Sequence, residues 1–418
     1  MSIESFEIPR TLYLEPIGKW IGTPVVKVLT GMRRVGKSVL LRQIAEHARE
    51  RGSSADRVLL ISTERLEFEH IRTYRDLNDA AHQARGASPG GRLTLLVDEV
   101  QNIEHWERAA ASLVAEGGYD IFLTGSNASL LASDLATRIA GRYVELPVFP
   151  LTFSEFVEFR KAAGGAAGAA GATDEAGLFR SFMRYGGLPG IHHVAFTDEQ
   201  VDQYLNGIYS TIILRDVLER NQVRNPRLLE DIGRFLIDSI GALVSAKRIA
   251  DYLKSQRRSA TVDTVLDYIG FLERSYAFKR ARRFDIRGNR HLEVQDKFYL
   301  GDIGLRYARM GYRDDDIAPL LENVVFLELQ SRGFAVSVGK AGPYEVDFVA
   351  EGRDARLYIQ VCYRMETAET RERELRPLRS IDDNYPKVVL SLDDPAGGDA
   401  EGIRLVNLTD FLLHRAEI

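Results

Sequence analysis

The chain has 418 residues, 45% of them hydrophobic, and a formal net charge of −5. That length supports about two to four domains, each able to bury a core, while the negative balance excludes a global basic field for nucleic acid. One cysteine, Cys362, excludes a disulfide framework and a Cys-based zinc site.

The lone cysteine fits a reducing compartment. The N-terminus, Met1-Ser2-Ile3-Glu4, lacks the basic and apolar pattern of a signal peptide. No uncharged apolar run approaches the roughly 18 residues a membrane helix needs. A soluble, cytoplasmic chain is therefore expected.

Over residues 25–147 short apolar runs alternate with helical patterns, which predicts a parallel α/β sheet. The expected strands are Val25–Thr30, Val58–Thr63, Leu93–Val97, Ile121–Thr124 and Tyr143–Leu146. After the first comes Gly31-Met32-Arg33-Arg34-Val35-Gly36-Lys37-Ser38, which fits the phosphate-binding P-loop. From Ser38 and Val39 onward, Leu40, Leu41, Ile44, Ala45 and Ala48 share one helical face. A loop held between strand and helix aims backbone N–H groups and a helix N-terminus at an anion. Gly31 through Val39 are thus the expected nucleotide-binding residues. Lys37 would reach the β/γ phosphates of ATP, and the Ser38 hydroxyl would ligate Mg²⁺.

The strand Leu93–Val97 runs into Asp98 and Glu99, a Walker B pattern. Asp98 is expected on the Mg²⁺ side, and Glu99 is expected to orient or deprotonate the attacking water. At the end of the next strand, Ser126 and Asn127 are candidates either to sense the γ-phosphate or to cap the following helix. An arginine beside the γ-phosphate stabilises transition-state charge in cis or in trans. Arg142 is the first candidate for it and Arg138 the second; a trans role would need a homo-oligomer.

These motifs occur in one order with Pro150-Leu151-Thr152-Phe153-Ser154-Glu155-Phe156, Tyr185-Gly186-Gly187-Leu188-Pro189 and Ile213-Leu214-Arg215-Asp216-Val217. The set resembles the bacterial and archaeal AAA-type ATP-binding proteins that carry a C-terminal domain of unknown function. The resemblance runs from about residue 10 to 410. It implies an ATPase core over 1–150, a helical lid over 151–240, a winged-helix-like middle over 241–300 and a restriction-endonuclease-like α/β domain over 301–418. It also implies that Gly187 and Pro189 lie near the nucleotide base. The Ala/Gly-rich stretch 162–172 reads as a loop that builds no core.

In the middle part, Ser245–Lys254 and Ser259–Arg274 form two amphipathic helical patterns, and a hairpin is expected around Asp285–Arg290. Helix, turn, helix and hairpin is winged-helix logic. Residues 247–297 carry 13 Lys and Arg against 7 Asp and Glu. Arg257, Arg258, Lys279, Arg280, Arg282, Arg283, Arg287 and Arg290 are candidate DNA phosphate contacts. A winged helix that docks a protein partner is the alternative.

Farther on, Glu345-Val346-Asp347-Phe348-Val349 and Leu357-Tyr358-Ile359-Gln360-Val361-Cys362 resemble a PD-(D/E)xK nuclease core. Asp347 matches its first acid, and Glu322 or Glu328 would supply a helix carboxylate. Gln360 stands where the second acid belongs and Cys362 where the lysine belongs, so nuclease activity is not expected.

Overall fold

The structure, a computed structural model, describes residues 8–50, 57–87, 90–128, 139, 141–167, 174–194, 196–292, 295–311, 317–353, 355–393 and 398–418. They fall into two compact units, Met1–Val148 with Arg274–Tyr276, and Phe149–Glu273 with Ala277–Ile418. The segments expected as lid, middle and C-terminal domains thus lie within one unit, apart from Arg274–Tyr276, which belong to the first; the second unit takes in 151–273 and 277–418 of them.

In the first unit, β1 (Val26–Thr30), β2 (Val58–Ser62), β3 (Leu93–Asp98), β4 (Tyr119–Gly125) and β5 (Tyr143–Pro147) form an all-parallel sheet in the order β2-β3-β4-β1-β5. Helices α1 (Thr11–Gly18), α2 (Lys37–Glu50), α3 (Tyr74–Ala87) and α4 (Trp106–Glu116) accompany it. β1, β3 and β4 are buried at every residue, as strands covered on both faces must be. Because β4 lies between β1 and β3, the polar end of β4 comes between the loop after β1 and the acids after β3.

Two charges sit inside this apolar layer. Lys27 on β1 is fully buried and donates to the Asp120 carboxylate on β4 and to the carbonyls of Thr23 (3.1 Å) and Val25 (3.0 Å). The other Asp120 oxygen accepts the Gly22 N–H at 2.7 Å. Every polar atom is answered, so the pair is tolerated.

The second unit opens with helices α5 (Phe153–Ala167), α6 (Glu175–Tyr185), α7 (Asp198–Thr211) and α8 (Pro226–Asp238). The first part of the Ala/Gly-rich stretch continues α5 to Ala167, and residues 168–173 are outside the described set. Next come β6 (Leu243–Val244), α9 (Ala246–Ser255), α10 (Val262–Arg274), β7 (Phe278–Ala281), β8 (Arg283–Asp285), β9 (Arg290–His291) and β10 (Asp296–Leu300). β10 pairs antiparallel with both β6 and β7 in a three-stranded sheet. The expected hairpin at 285–290 exists as β8–β9, but it belongs to another sheet. β8 pairs parallel with β11 (Ala335–Ala341), and buried Phe284 joins the C-terminal core. Burying that ring redirects the hairpin.

The C-terminal sheet has eight strands in the order β15-β16-β14-β13-β12-β11-β8-β9. Its remaining strands are β12 (Tyr344–Glu351), β13 (Arg356–Cys362), β14 (Lys387–Ser391), β15 (Asp399–Ala400) and β16 (Ile403–Asn407). Helices α11 (Gly304–Met310), α12 (Ile317–Ser331), α13 (Ala368–Arg379) and α14 (Leu408–Leu412) complete the unit. β11–β12–β13 pair antiparallel in succession, and β14 joins β13 in parallel. No helix among the described residues is long and apolar enough to cross a membrane.

Candidate functional site

The loop between β1 and α2 is shaped by glycine. Gly31 has φ 148° and Gly36 φ 97°. A Cβ on Gly31 would lie 2.2 Å from the Val148 carbonyl oxygen, so only glycine fits. Met32 and Val35 are buried under the loop, Arg33 is half-buried 3.8 Å from Glu64, and Arg34 is exposed with φ 70°. Val39 follows Ser38 in the first turn of α2. Lys37 is buried, and its ammonium donates to the carbonyls of Gly31 (2.9 Å) and Met32 (3.0 Å). The expected loop residues therefore surround one anion cradle at the N-terminus of α2.

Asp98 and Glu99 meet this cradle from β3. The Ser38 hydroxyl donates to Asp98 Oδ1 at 3.0 Å, and the Thr124 hydroxyl donates to the same oxygen at 2.7 Å. Thr124 Oγ1 in turn accepts the Glu99 N–H at 2.9 Å. Glu99 adopts the left-handed conformation, φ 52° and ψ 52°. Such a backbone costs on the order of 1–3 kcal/mol and persists only where its surroundings hold it. Here the Thr63 hydroxyl bridges the carbonyls of Asp98 (3.0 Å) and Glu99 (3.2 Å). The Glu99 carboxylate is clamped by the Ser126 hydroxyl at 3.2 Å and by the Gln101 amide. Asn127 is buried immediately after Ser126.

Several members of this set escaped the motif reading. Thr124 ends the expected strand Ile121–Thr124 and Gln101 lies two residues after Glu99; a polar residue at a buried strand end is the signal that marks Thr124. Arg10 is another. It is buried, its guanidinium donates to the Val35 carbonyl at 3.1 Å, and its N–H donates to Gln43 on α2 at 3.3 Å. Nothing in its local sequence separates it from a surface arginine.

Arg142 is not brought to the cradle by its own chain. It is exposed and precedes β5, and its carbonyl accepts the Val26 N–H at 2.9 Å. β5 runs parallel to β1, with Tyr143 opposite Val26 and Pro147 opposite Thr30. The loop follows Thr30, so Arg142 stands a strand's length away, roughly 16 Å. Of the two roles left open for Arg142, this placement favours the one in trans. Arg138 lies outside the described residues.

In the second unit, Pro189 starts the short helix Pro189–His193, just after Gly186 and Gly187. A Cβ on Gly187 would lie 2.2 Å from the Leu151 carbonyl oxygen, and the Gly187 N–H donates to Asp302 Oδ2 at 2.7 Å. The other Asp302 oxygen accepts from Gly304 at 2.9 Å. Burial pushes the Asp302 carboxyl up to about 7, against these two N–H donors. Close packing thus accounts for both glycines of the Gly186-Gly187 pair.

The candidate phosphate contacts divide. Arg258 pairs with Asp231, and Arg280 pairs with Glu273 (2.6 Å) and Asp296 (3.5 Å). Lys279 lies over the Phe149 ring at 4.5 Å, and half-buried Arg283 reaches Gln295 at 3.5 Å. Arg257, Arg282, Arg287 and Arg290 are exposed. The exposed face of α10 carries Val262, Asp263, Leu266 and Asp267, apolar and acidic side chains.

The parallel five-stranded sheet, the glycine-shaped loop and the acids on the neighbouring strand define a P-loop NTPase of the AAA type. Residues 23–157 match the AAA domain family, and residues 176–316 match a domain of unknown function (DUF8612). The chain is 33% identical to an uncharacterised protein of Haemophilus influenzae, over 97% of this chain and 98% of that one, and it belongs to the same family. An uncharacterised protein of Methanocaldococcus jannaschii is 29% identical over 84% of this chain and 77% of its own length. Among solved structures, the Walker-type ATPase PABY2304 of Pyrococcus abyssi is similar in fold, with TM-score 0.50 and 18% identity over 71% of this chain and 93% of that one.

Proposed function

We propose that the chain is a Mg²⁺-dependent ATPase that uses hydrolysis to drive a conformational change. The observation that carries this is the pair Asp98–Glu99, set beside the Lys37–Ser38 cradle by Thr124 and Ser126. A nucleotide-binding scaffold has no need of a clamped second carboxylate in a strained backbone.

The donor set suits a hard cation, since a hydroxyl and a carboxylate oxygen already converge at Ser38 and Asp98. Bound there, Mg²⁺ would neutralise charge on the β/γ oxygens. Lys37 would exchange its loop carbonyls for phosphate oxygens. Glu99 would accept a proton from the attacking water, with Ser126 and Gln101 setting the direction of its carboxylate. Asn127 is proposed as the γ-phosphate sensor, Pro189 as a contact for the base, and Arg142 as a residue acting only from a second copy.

The output is proposed to be DNA-associated, through exposed Arg257, Arg282, Arg287 and Arg290. A protein partner is the second reading. The α10 face with Val262 and Leu266 between Asp263 and Asp267 favours it, because such a face repels phosphates and offers apolar contact.

ATP turnover with and without duplex and single-stranded DNA, with Glu99→Gln as control, tests both levels. Turnover lost in the variant supports hydrolysis at this site, and turnover unchanged in it sinks the assignment. Stimulation by DNA that disappears on charge reversal at Arg282 and Arg283 supports the DNA output. Indifference to DNA leaves the protein partner.

A further inference from the structure

A second buried cluster of charges lies within the second unit. Lys297 on β10 is 1% exposed. Its ammonium is 2.9 Å from Glu322 Oε2 on α12, 2.9 Å from Glu345 Oε1 and 3.7 Å from Asp347 Oδ1 on β12. Tyr299, also on β10, donates its hydroxyl to the same Glu322 oxygen at 3.1 Å. The far oxygen of Asp347 accepts the Val361 N–H of β13 at 2.8 Å.

The connectivity gives this cluster a meaning. A helix bearing Glu322, three antiparallel strands, a helix and a parallel strand follow one another as α12, β11, β12, β13, α13 and β14. In a nuclease core of that order, acids at the places of Glu322 and Asp347 hold a divalent ion that activates water. Here the donors do not suit one. Magnesium asks for near-octahedral oxygen at about 2.0–2.1 Å, and an ammonium already sits among these oxygens with three donors of its own. The neighbouring strand adds no ligand. Gln360 accepts the Asp347 N–H at 3.3 Å and donates to Glu374 at 3.3 Å, which occupies both ends of its amide. Burial, with the carboxylates of Glu374, Asp393 and Asp347, pushes the Cys362 thiol up to about 12. It stays a neutral thiol and offers no thiolate.

We propose that the Lys297 ammonium fills the cation position of a nuclease-like centre, closing it to divalent metals and leaving the domain without metal-dependent cleavage. The carboxylates kept there then serve to hold β10, α12 and β12 together around an internal cation.

Mn²⁺ binding to the nucleotide-free full chain, counted by electron paramagnetic resonance, tests this. The P-loop unit is common to all variants and cancels in the comparison. Wild type and Asp347→Asn should bind the same number of ions. A wild-type ion that Asp347→Asn removes, or Mn²⁺-dependent DNA cleavage that it abolishes, overturns the proposal. Lys297→Ala should bind one more Mn²⁺ per chain than wild type, and the double variant with Asp347→Asn should lose it again. A folded Lys297→Ala that gains no ion also overturns the proposal. If that variant does not fold, the wild-type comparison with Asp347→Asn still decides.

Discussion

Ser126 points its hydroxyl at the carboxylate of Glu99 from 3.2 Å, across the gap between β4 and β3. The hydroxyl donates, so it holds the acceptor oxygen of Glu99 in one direction, as a positioned general base requires. Glu99→Gln should lower ATP turnover by about 10²–10⁴-fold, the usual range for a lost general base, with nucleotide binding retained. Ser126→Ala should lower turnover less and leave binding unchanged. Single-turnover hydrolysis beside equilibrium binding of a fluorescent nucleotide separates these outcomes.

Gly31→Ala should abolish nucleotide binding, because its methyl would meet the Val148 carbonyl oxygen and its φ of 148° disfavours any side chain. The first unit should also lose on the order of 1–3 kcal/mol. Calorimetric unfolding with and without ATP reads both. An alanine variant that binds ATP normally would show that the loop moves before it binds.

Lys27 and Asp120 form a buried pair between adjacent strands. Asp120→Ala leaves an ammonium with two carbonyls and no counter-charge, and should cost about 3–5 kcal/mol. Replacing both residues, as Lys27→Met with Asp120→Leu, should recover most of that loss. Urea denaturation of the single and double variants provides the cycle.

His192 predicts an acid-labile second unit. It lies against Phe156 and Phe159, with ring centroids 5.0 and 5.6 Å away, and stacks on Phe196. Burial, then the charges of Arg160 and His193, lower its pKa from 6.5 to about 3. Its folded form is thus neutral, and the stability it contributes is complete above pH 6.5 and is lost as pH falls toward 3. The loss across that window is at most roughly 5 kcal/mol. In His192→Phe the same acid titration, followed by near-ultraviolet circular dichroism, should show a shallower decline. An equal slope in both proteins would remove His192 from the account.

Local chemistry was the legible part of this molecule. The Gly31–Ser38 loop and the Asp98–Glu99 pair each declare themselves within a few residues, because glycine conformation and strand-end acids are local properties. The five parallel strands follow from continuous apolar runs. Where a segment lands is not local. Arg142 reads as adjacent to the phosphate site until the pairing of β5 with β1 places it at the opposite end of the strand. The hairpin at 285–290 looks like a wing until Phe284 is buried in the other core. Lys27 sits inside the expected strand Val25–Thr30 and does not declare its partner, which is 93 residues away. Lys297 is hidden for the same reason, with Glu322 and Asp347 supplied by elements that follow it.

Strands β8 and β10 have a practical consequence for dissecting the chain. A fragment beginning at residue 301 would lack β8 and β9, exposing the edge of β11, and would strip Lys297 from three carboxylates. Bare edge strands recruit other chains, and unpaired buried acids resist folding at neutral pH. Such a fragment should aggregate when expressed alone, whereas one that keeps the middle segment retains every strand of both sheets. Truncations that treat the C-terminal part as a detachable module would therefore read misfolding as loss of function.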